Sequence, residues 1–334
     1  MGTWGNRGLF VASLVTLGLS VGMPAGGAEP PPGPRLAESA KALDATLHCH
    51  GDLGNGRGHE PVLLVPGTAV DRTEFDWNWI PALTHDRIAW CTVDLIDNAT
   101  GDIQASAERV VHAIRTMHEA AGRRIDVVGH SQGGMVPRWA LRFWPDTRAM
   151  VDDLVGIAAS NHGTIVADAI CGLTCGAAEA QQRSDSAFLR ALNQGAETWA
   201  GISYTSIYTW TDEIVLPNLD DSGSTSLHTG LGEITNVAVQ DVCPVHVADH
   251  LTLGTSDPVA YALARDAMDH RGPANPRRID GSVCLRVVMP HSDLAATGAG
   301  LTAGGAQIAE SLAAAPAVSA EPPLRCYVTH SCRG

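Results

Sequence analysis

Basic side chains are scarce in this sequence, and that scarcity narrows the possible partners. Lysine and arginine number 22 against 36 aspartates and glutamates, a formal charge of −14. No basic stripe is available for a phosphate backbone, so nucleic acid is excluded as a partner, and a surface of this sign repels anionic lipid head groups. Long hydrophobic runs are missing too: no segment reaches the ~18 consecutive apolar residues of a membrane span, and no stable membrane insertion is expected. Metal-ligand spacing is also lacking. His48-Cys49-His50 and His59 have no second cysteine close to Cys49, so no metal site is expected there. No internal repeat is evident.

What is present begins with Arg7 and an apolar run from Leu9 to Val21, followed by Gly26-Gly27-Ala28. Residues 1–28 read as a secretory signal, which places the mature chain outside the cell. Residues 29–42 form a Pro-rich leader, and 43–334 read as a single α/β domain, since about 300 residues can bury one full core. Within it, 167–194 reads as a lid or rim insertion, and about 322–334 as a disulfide-closed tail. The eight cysteines suit an oxidising compartment, with up to four disulfides whose pairing spacing does not settle. Cys171 and Cys175 are too close for a long staple and suit a small surface loop. Oligomeric state leaves no trace in the sequence, and a monomer is expected.

Pro61–Val65 is an unbroken apolar run that reads as a central parallel strand emptying into Pro66-Gly67-Thr68. Further strands are expected around 88–93, 124–128, 154–159, 202–208 and 235–239. Val110, Val111, Ile114 and Met117 recur at helical spacing within 103–121, with Asp102 as N-cap and Gly122 closing the end; a second helix is expected over 295–315. Strands alternating with helices indicate a mostly parallel sheet, whose chemistry sits at the strand carboxyl ends.

At one such end stands Gly129-His130-Ser131-Gln132-Gly133-Gly134, between the strand pattern of 124–128 and a helix pattern over 135–142. This is a nucleophile elbow: a serine held in strained geometry above the sheet, with glycines where a Cβ would collide. An α/β-hydrolase fold follows. Serine needs an imidazole to take its proton and a carboxylate to orient that imidazole, in the chain order Ser, acid, His. Asp212, just past the strand 202–208, is the expected acid, with Glu213 second; Asp220, Asp221 and Asp241 are less well placed. His250 and His246 both follow the last expected strand, and spacing does not separate them. His130 should point away from Ser131 as elbow packing or pocket wall, and His162 lines the cleft. The backbone N–H groups of Gln132 and Thr68 are the expected oxyanion donors.

Five motifs, Pro61-Val-Leu-Leu-Val-Pro-Gly-Thr68, Phe75-Asp-Trp-Asn-Trp-Ile-Pro81, Ser131-Gln-Gly, Thr211-Asp-Glu-Ile-Val215 and Asp249-His250, occur in this order. In them the chain, from about Leu43 to Cys332, resembles the Candida antarctica lipase B-like family of secreted lipases and esterases. The resemblance implies Ser131 as nucleophile, Asp212 as acid and His250 rather than His246 as base, with Thr68 and Gln132 at the oxyanion hole. It also implies disulfides Cys49–Cys91, Cys243–Cys284 and Cys326–Cys332, leaving Cys171 and Cys175 to each other outside the family pattern. Substrate contacts would map onto His130, Asn161, Ile214, Val215 and Leu251. Three of these depart from the family: His130 replaces a tryptophan narrowing the alcohol pocket, Asn161 an aspartate of the acyl region, and Leu251 a smaller residue.

The expected function is hydrolysis of carboxyl esters or lipids through an acyl-enzyme, open to transesterification and needing no cofactor. A serine peptidase on the same residues is the alternative within enzymes. An inert hydrolase scaffold kept as a binding module is the alternative outside them.

Overall fold

Four consecutive apolar residues, Val62–Val65, alternate between two separate cores, as a strand buried on both faces must. Val62 and Leu64 join one cluster, Leu63 and Val65 the other. In the computed structural model, which describes residues 1–2, 31–55 and 58–329, this strand is β2 of a seven-stranded sheet. The others are β1 (Leu47–His50), β3 (Trp90–Val93), β4 (Ile125–His130), β5 (Val151–Ile157), β6 (Ser203–Tyr208) and β7 (Glu233–Ala238), in the order β1-β3-β2-β4-β5-β6-β7. All pairings are parallel except that of β1 with β3. Most of the expected signal, and Cys332, lie outside the described residues.

The helices among the described residues run from α1 (Ala40–Asp44), α2 (Trp79–His85), α3 (Ile103–Ala121) and α4 (Gln132–Phe143) through three short ones, α5 (Ile165–Cys171), α6 (Ala177–Gln181) and α7 (Ala187–Asn193). After β7 come α8 (Val239–Val242), α9 (His250–Thr255), α10 (Pro258–Asp269) and α11 (Leu294–Ala314). None is long and apolar enough to cross a membrane. Ile114 and Met117 of α3, Trp139 of α4 and Phe188 of α7 fill one core; Trp79 and Leu83 of α2 and Leu263 of α10 fill the other. Helix α3 has the expected bounds because both stops are local: Asp102 accepts from the Gln104 N–H, and Gly122 closes the helix at φ 64°.

One expectation needs correction. Segment 167–194 is not merely a rim: α7 buries Phe188, Leu189 and Leu192, and the Phe188 ring stacks on Trp139 at 4.3 Å. The sheet also has an antiparallel edge, β1, whose His-rich sequence lacks the apolar run of its neighbours. Cys49 and Cys91 are register partners across that edge and form a disulfide; Cys243–Cys284 and Cys171–Cys175 are the other described bridges.

Two buried carboxyls lie within the sheet itself, Asp126 of β4 and Asp153 of β5. Asp153 of β5 is 4 % exposed, and its Oδ1 has no hydrogen-bond partner among the described residues. Burial, with Asp152 nearby and only partly offset by Arg124, pushes it up to about 8. Between the ordinary carboxylate value and about pH 8, the folded chain keeps a proton that the unfolded chain has lost. That contribution to stability is full in acid and disappears as pH rises through 8. Asp153→Asn should therefore gain on the wild type by several kcal/mol, in order of magnitude, on going from pH 5 to pH 9. Thermal melting of both proteins across that range checks this; parallel curves would refute it.

Candidate active site

The turn between β4 and α4 holds Ser131 at φ 54° and ψ −125°, a conformation L-residues avoid unless the fold enforces it. It is enforced by contact. A Cβ on Gly129 would collide with the carbonyl of Gly133, and one on Gly133 with that of Val65. The Ser131 N–H donates to Ile157 O at 2.8 Å, fixing the elbow to β5.

Asp212 stands in the turn after β6. Its Oδ1 accepts from the N–H groups of Ile214 (2.9 Å) and Val215 (2.8 Å). Thr211 donates its hydroxyl to Ala248 O at 2.7 Å, tying this turn to the loop that enters α9. His250 is the first residue of α9, capped by Asp249, and its Nδ1 lies 3.1 Å from both carboxylate oxygens of Asp212. Burial by itself would raise the Asp212 carboxyl; the hydrogen bond and charge of His250 and the two backbone donors outweigh it and hold the group below the ordinary carboxylate value. Asp212 is therefore ionised at neutral pH.

The rivals have other partners. Glu213 accepts from the backbone N–H of His250 at 3.0 Å, holding the residue rather than its ring. His246 pairs with Asp257, Asp220 bonds to Ser222, and Asp241 caps the N–H of Ala238.

Thr68 lies opposite the elbow. Its hydroxyl oxygen accepts from Gln132 Nε2 (2.9 Å) and Gln182 Nε2 (3.1 Å), so what remains to it is its proton. Among the described residues the backbone N–H groups of Thr68 and Gln132 have no protein acceptor. Gln182, within segment 167–194, touches the candidate site through Thr68 and was missed by sequence reasoning; its Oε1 accepts from the Ser160 hydroxyl at 2.8 Å.

The expected substrate contacts divide. Ile214 is 40 % exposed, and Ile165 at the start of α5 is 54 % exposed; the two are tied together where Thr164 Oγ1 donates to Ile214 O and the Ile165 N–H to Leu216 O. Val215 is buried, and Leu251 is half-buried against α11. Asn161 is buried, with Oδ1 accepting from Arg138 (3.0 Å), Nδ2 donating to Thr225 O (2.7 Å) and its carbonyl accepting from Asn193 (2.8 Å). Those bonds engage Asn161 in the fold. His162 binds Glu197 at 2.6 Å and keeps about a third of its side chain exposed. His130 is no open wall: it is buried at 3 % exposure and bonded to Glu74, a residue the motifs did not mark as functional.

The site can be set beside known proteins. The family model for class 2 lipases matches residues 98–243. Lipase B of Pseudozyma antarctica is 34 % identical over 239 residues, covering 70 % of this chain and 69 % of that protein. The crystal structure of Aspergillus fumigatus lipase B superposes with a TM-score of 0.82 at 28 % identity, covering 91 % of this chain and 76 % of that one. The mostly parallel sheet flanked by helices is thus an α/β-hydrolase fold.

Proposed function

Because the chain belongs to the lipase B family and is a carboxylic ester hydrolase, we propose that it works through an acyl-enzyme on Ser131, with His250 as general base and acid and Asp212 as orienting carboxylate. The observation that carries this reading is the 3.1 Å pairing of His250 Nδ1 with both oxygens of an ionised, buried Asp212. A neutral ring that donates through Nδ1 keeps Nε2 as the acceptor for the serine proton. Ser131 attacks the ester carbonyl, the alcohol leaves with the proton from His250, and water, activated the same way, releases the acid. An alcohol in place of that water gives transesterification. The exposed Ile165 and Ile214 fit an apolar acyl chain better than a peptide backbone.

The N–H groups of Thr68 and Gln132, with the Thr68 proton left over after its oxygen accepts two amides, supply the oxyanion donors. Thr68→Val removes the hydroxyl donor and keeps the β-branched shape. It should lower kcat by about 100-fold, near 3 kcal/mol of transition-state stabilisation, with little change in KM. Steady-state kinetics on a nitrophenyl butyrate check this, and a variant with unchanged kcat would remove the hydroxyl from the oxyanion hole.

Three disulfides among the described residues suit an oxidising compartment, and we place the mature chain outside the cell, with residues 1–28 as its signal and 43–334 as the working domain. Parallel assays on nitrophenyl esters of increasing chain length and on peptide anilides test the substrate class. Turnover of esters far above anilides is expected; the reverse order would make the chain a peptidase.

A further inference from the structure

Beneath the proposed triad lies a second charged pair that the mechanism above does not use. Glu74 lies in a short 3-10 turn, Arg72–Phe75, and is 5 % exposed. Its Oε2 accepts from the Gly67 N–H at 3.0 Å and its Oε1 from His130 Nδ1 at 2.5 Å. The other ring nitrogen of His130, Nε2, lies 3.1 Å from the backbone carbonyl oxygen of His250. The His130 ring packs so closely on Gly254 of α9 that any Cβ there would run into it, and it stands 4.8 Å from the His250 ring, centroid to centroid. On the other side the Gly67 backbone is so close that a Cβ would sit 3.3 Å from both His130 Nδ1 and Ser131 Cβ.

We propose that Glu74 and His130 are positioning residues for ester cleavage, a buried carboxylate–imidazolium clamp that sets the oxyanion loop, the nucleophile elbow and the histidine helix against one another. The inference rests on the triad reading above. Each clamp contact falls on a reacting group or one residue from it: Gly67 precedes Thr68, His130 precedes Ser131, and the carbonyl belongs to His250 itself. A shift of about 1 Å among such groups costs on the order of 100-fold in rate, so a device fixing all three at once has catalytic value.

The ring's charge follows from its neighbours. A neutral imidazole carries one N–H, and beside an ionised Glu74 the His130 ring faces an acceptor at both nitrogens, a pairing that the doubly protonated ring satisfies. Burial opposes that charge, but the Glu74 carboxylate and its hydrogen bond, then the His250 carbonyl and Asp212, outweigh it and raise His130 above its ordinary value. Charge-assisted bonds of this kind are shorter and more directional than neutral ones, which suits a clamp.

Glu74→Gln is the test, because the amide keeps the volume and can still accept from Gly67 while the charge is lost. Expected are a fall in kcat of ~10- to 100-fold, KM within about threefold, and fluorophosphonate labelling of Ser131 slowed in proportion to kcat. A folded Glu74→Gln protein with wild-type kcat would overturn the clamp. If that variant does not fold, nitrogen-15 NMR of the wild-type histidine rings decides: His130 should keep protons on both nitrogens to a higher pH than an ordinary histidine, and a ring that loses its second proton at or below the ordinary value would also overturn it. This measurement stands apart from the triad reading. Ester hydrolysis that survives Ser131→Ala would sink the nucleophile assignment, whereas a neutral His130 beside a labelled Ser131 would sink the clamp alone.

Discussion

Ser131→Ala should lower kcat for nitrophenyl ester hydrolysis by about a millionfold, with KM and melting temperature close to those of the wild type. The hydroxyl at φ 54° is the one atom the elbow is built to present, and alanine at the same strained angle removes it without changing the turn. What survives is the oxyanion donors, which still bind an ester carbonyl and can assist attack by water, so a residue of roughly 1,000-fold over the uncatalysed rate is expected. On the proposed mechanism Ser131 and His250 act as one unit, so adding His250→Ala to Ser131→Ala should cost almost nothing further. Kinetics on the two variants and their combination check this, and a multiplicative loss would show that the residues act separately.

Asp212→Asn is the second large effect, about 10,000-fold in kcat. The asparagine carbonyl can still accept from the Ile214 and Val215 N–H groups, so the turn survives. Its amide then faces His250 Nδ1 with a donor where an acceptor stood. That selects the wrong tautomer: Nδ1 becomes the acceptor, Nε2 carries the proton, and the ring can no longer take one from Ser131. The sign of the pH effect follows from the same carboxylate. Its value is depressed in the folded chain, so its contribution to stability is present above the ordinary carboxylate value and is lost as pH falls through the folded one. Glu213→Gln is the control, since the amide oxygen still accepts from the His250 N–H; its kcat should stay within about tenfold of the wild type. Equal damage from the two substitutions would mean that Asp212 is not the orienting acid.

The elbow was legible because its constraints are local: a short strand carrying Ile125, Val127 and Val128 runs into a strained turn that needs its glycines. Helix α3 was legible for a similar reason, with Asp102 and Gly122 marking its ends in the sequence itself. Asp212 was expected just past β6 because acids at the carboxyl end of a strand are few, and it lies there, 3.1 Å from His250 Nδ1. The histidine could not be chosen from spacing alone; Asp257 engages His246, and nothing in Cys243–His250 announces that. Glu74 was invisible. In Arg72-Thr-Glu-Phe75 it reads as a solvated turn acid, and its partner is 56 residues away, so only the packed chain joins them. Gln182 was hidden for a related reason, inside a segment of small residues and short helices that looked peripheral, yet α7 enters the core and Gln182 reaches Thr68.

That Ser131 is the acylated residue is tested most directly by treating the wild-type protein with a fluorophosphonate and mapping the adduct by mass spectrometry. One adduct on Ser131, forming in step with loss of esterase activity and greatly slowed in Asp212→Asn, is the expected result. An adduct on another residue, or full activity after Ser131 is completely modified, would contradict it.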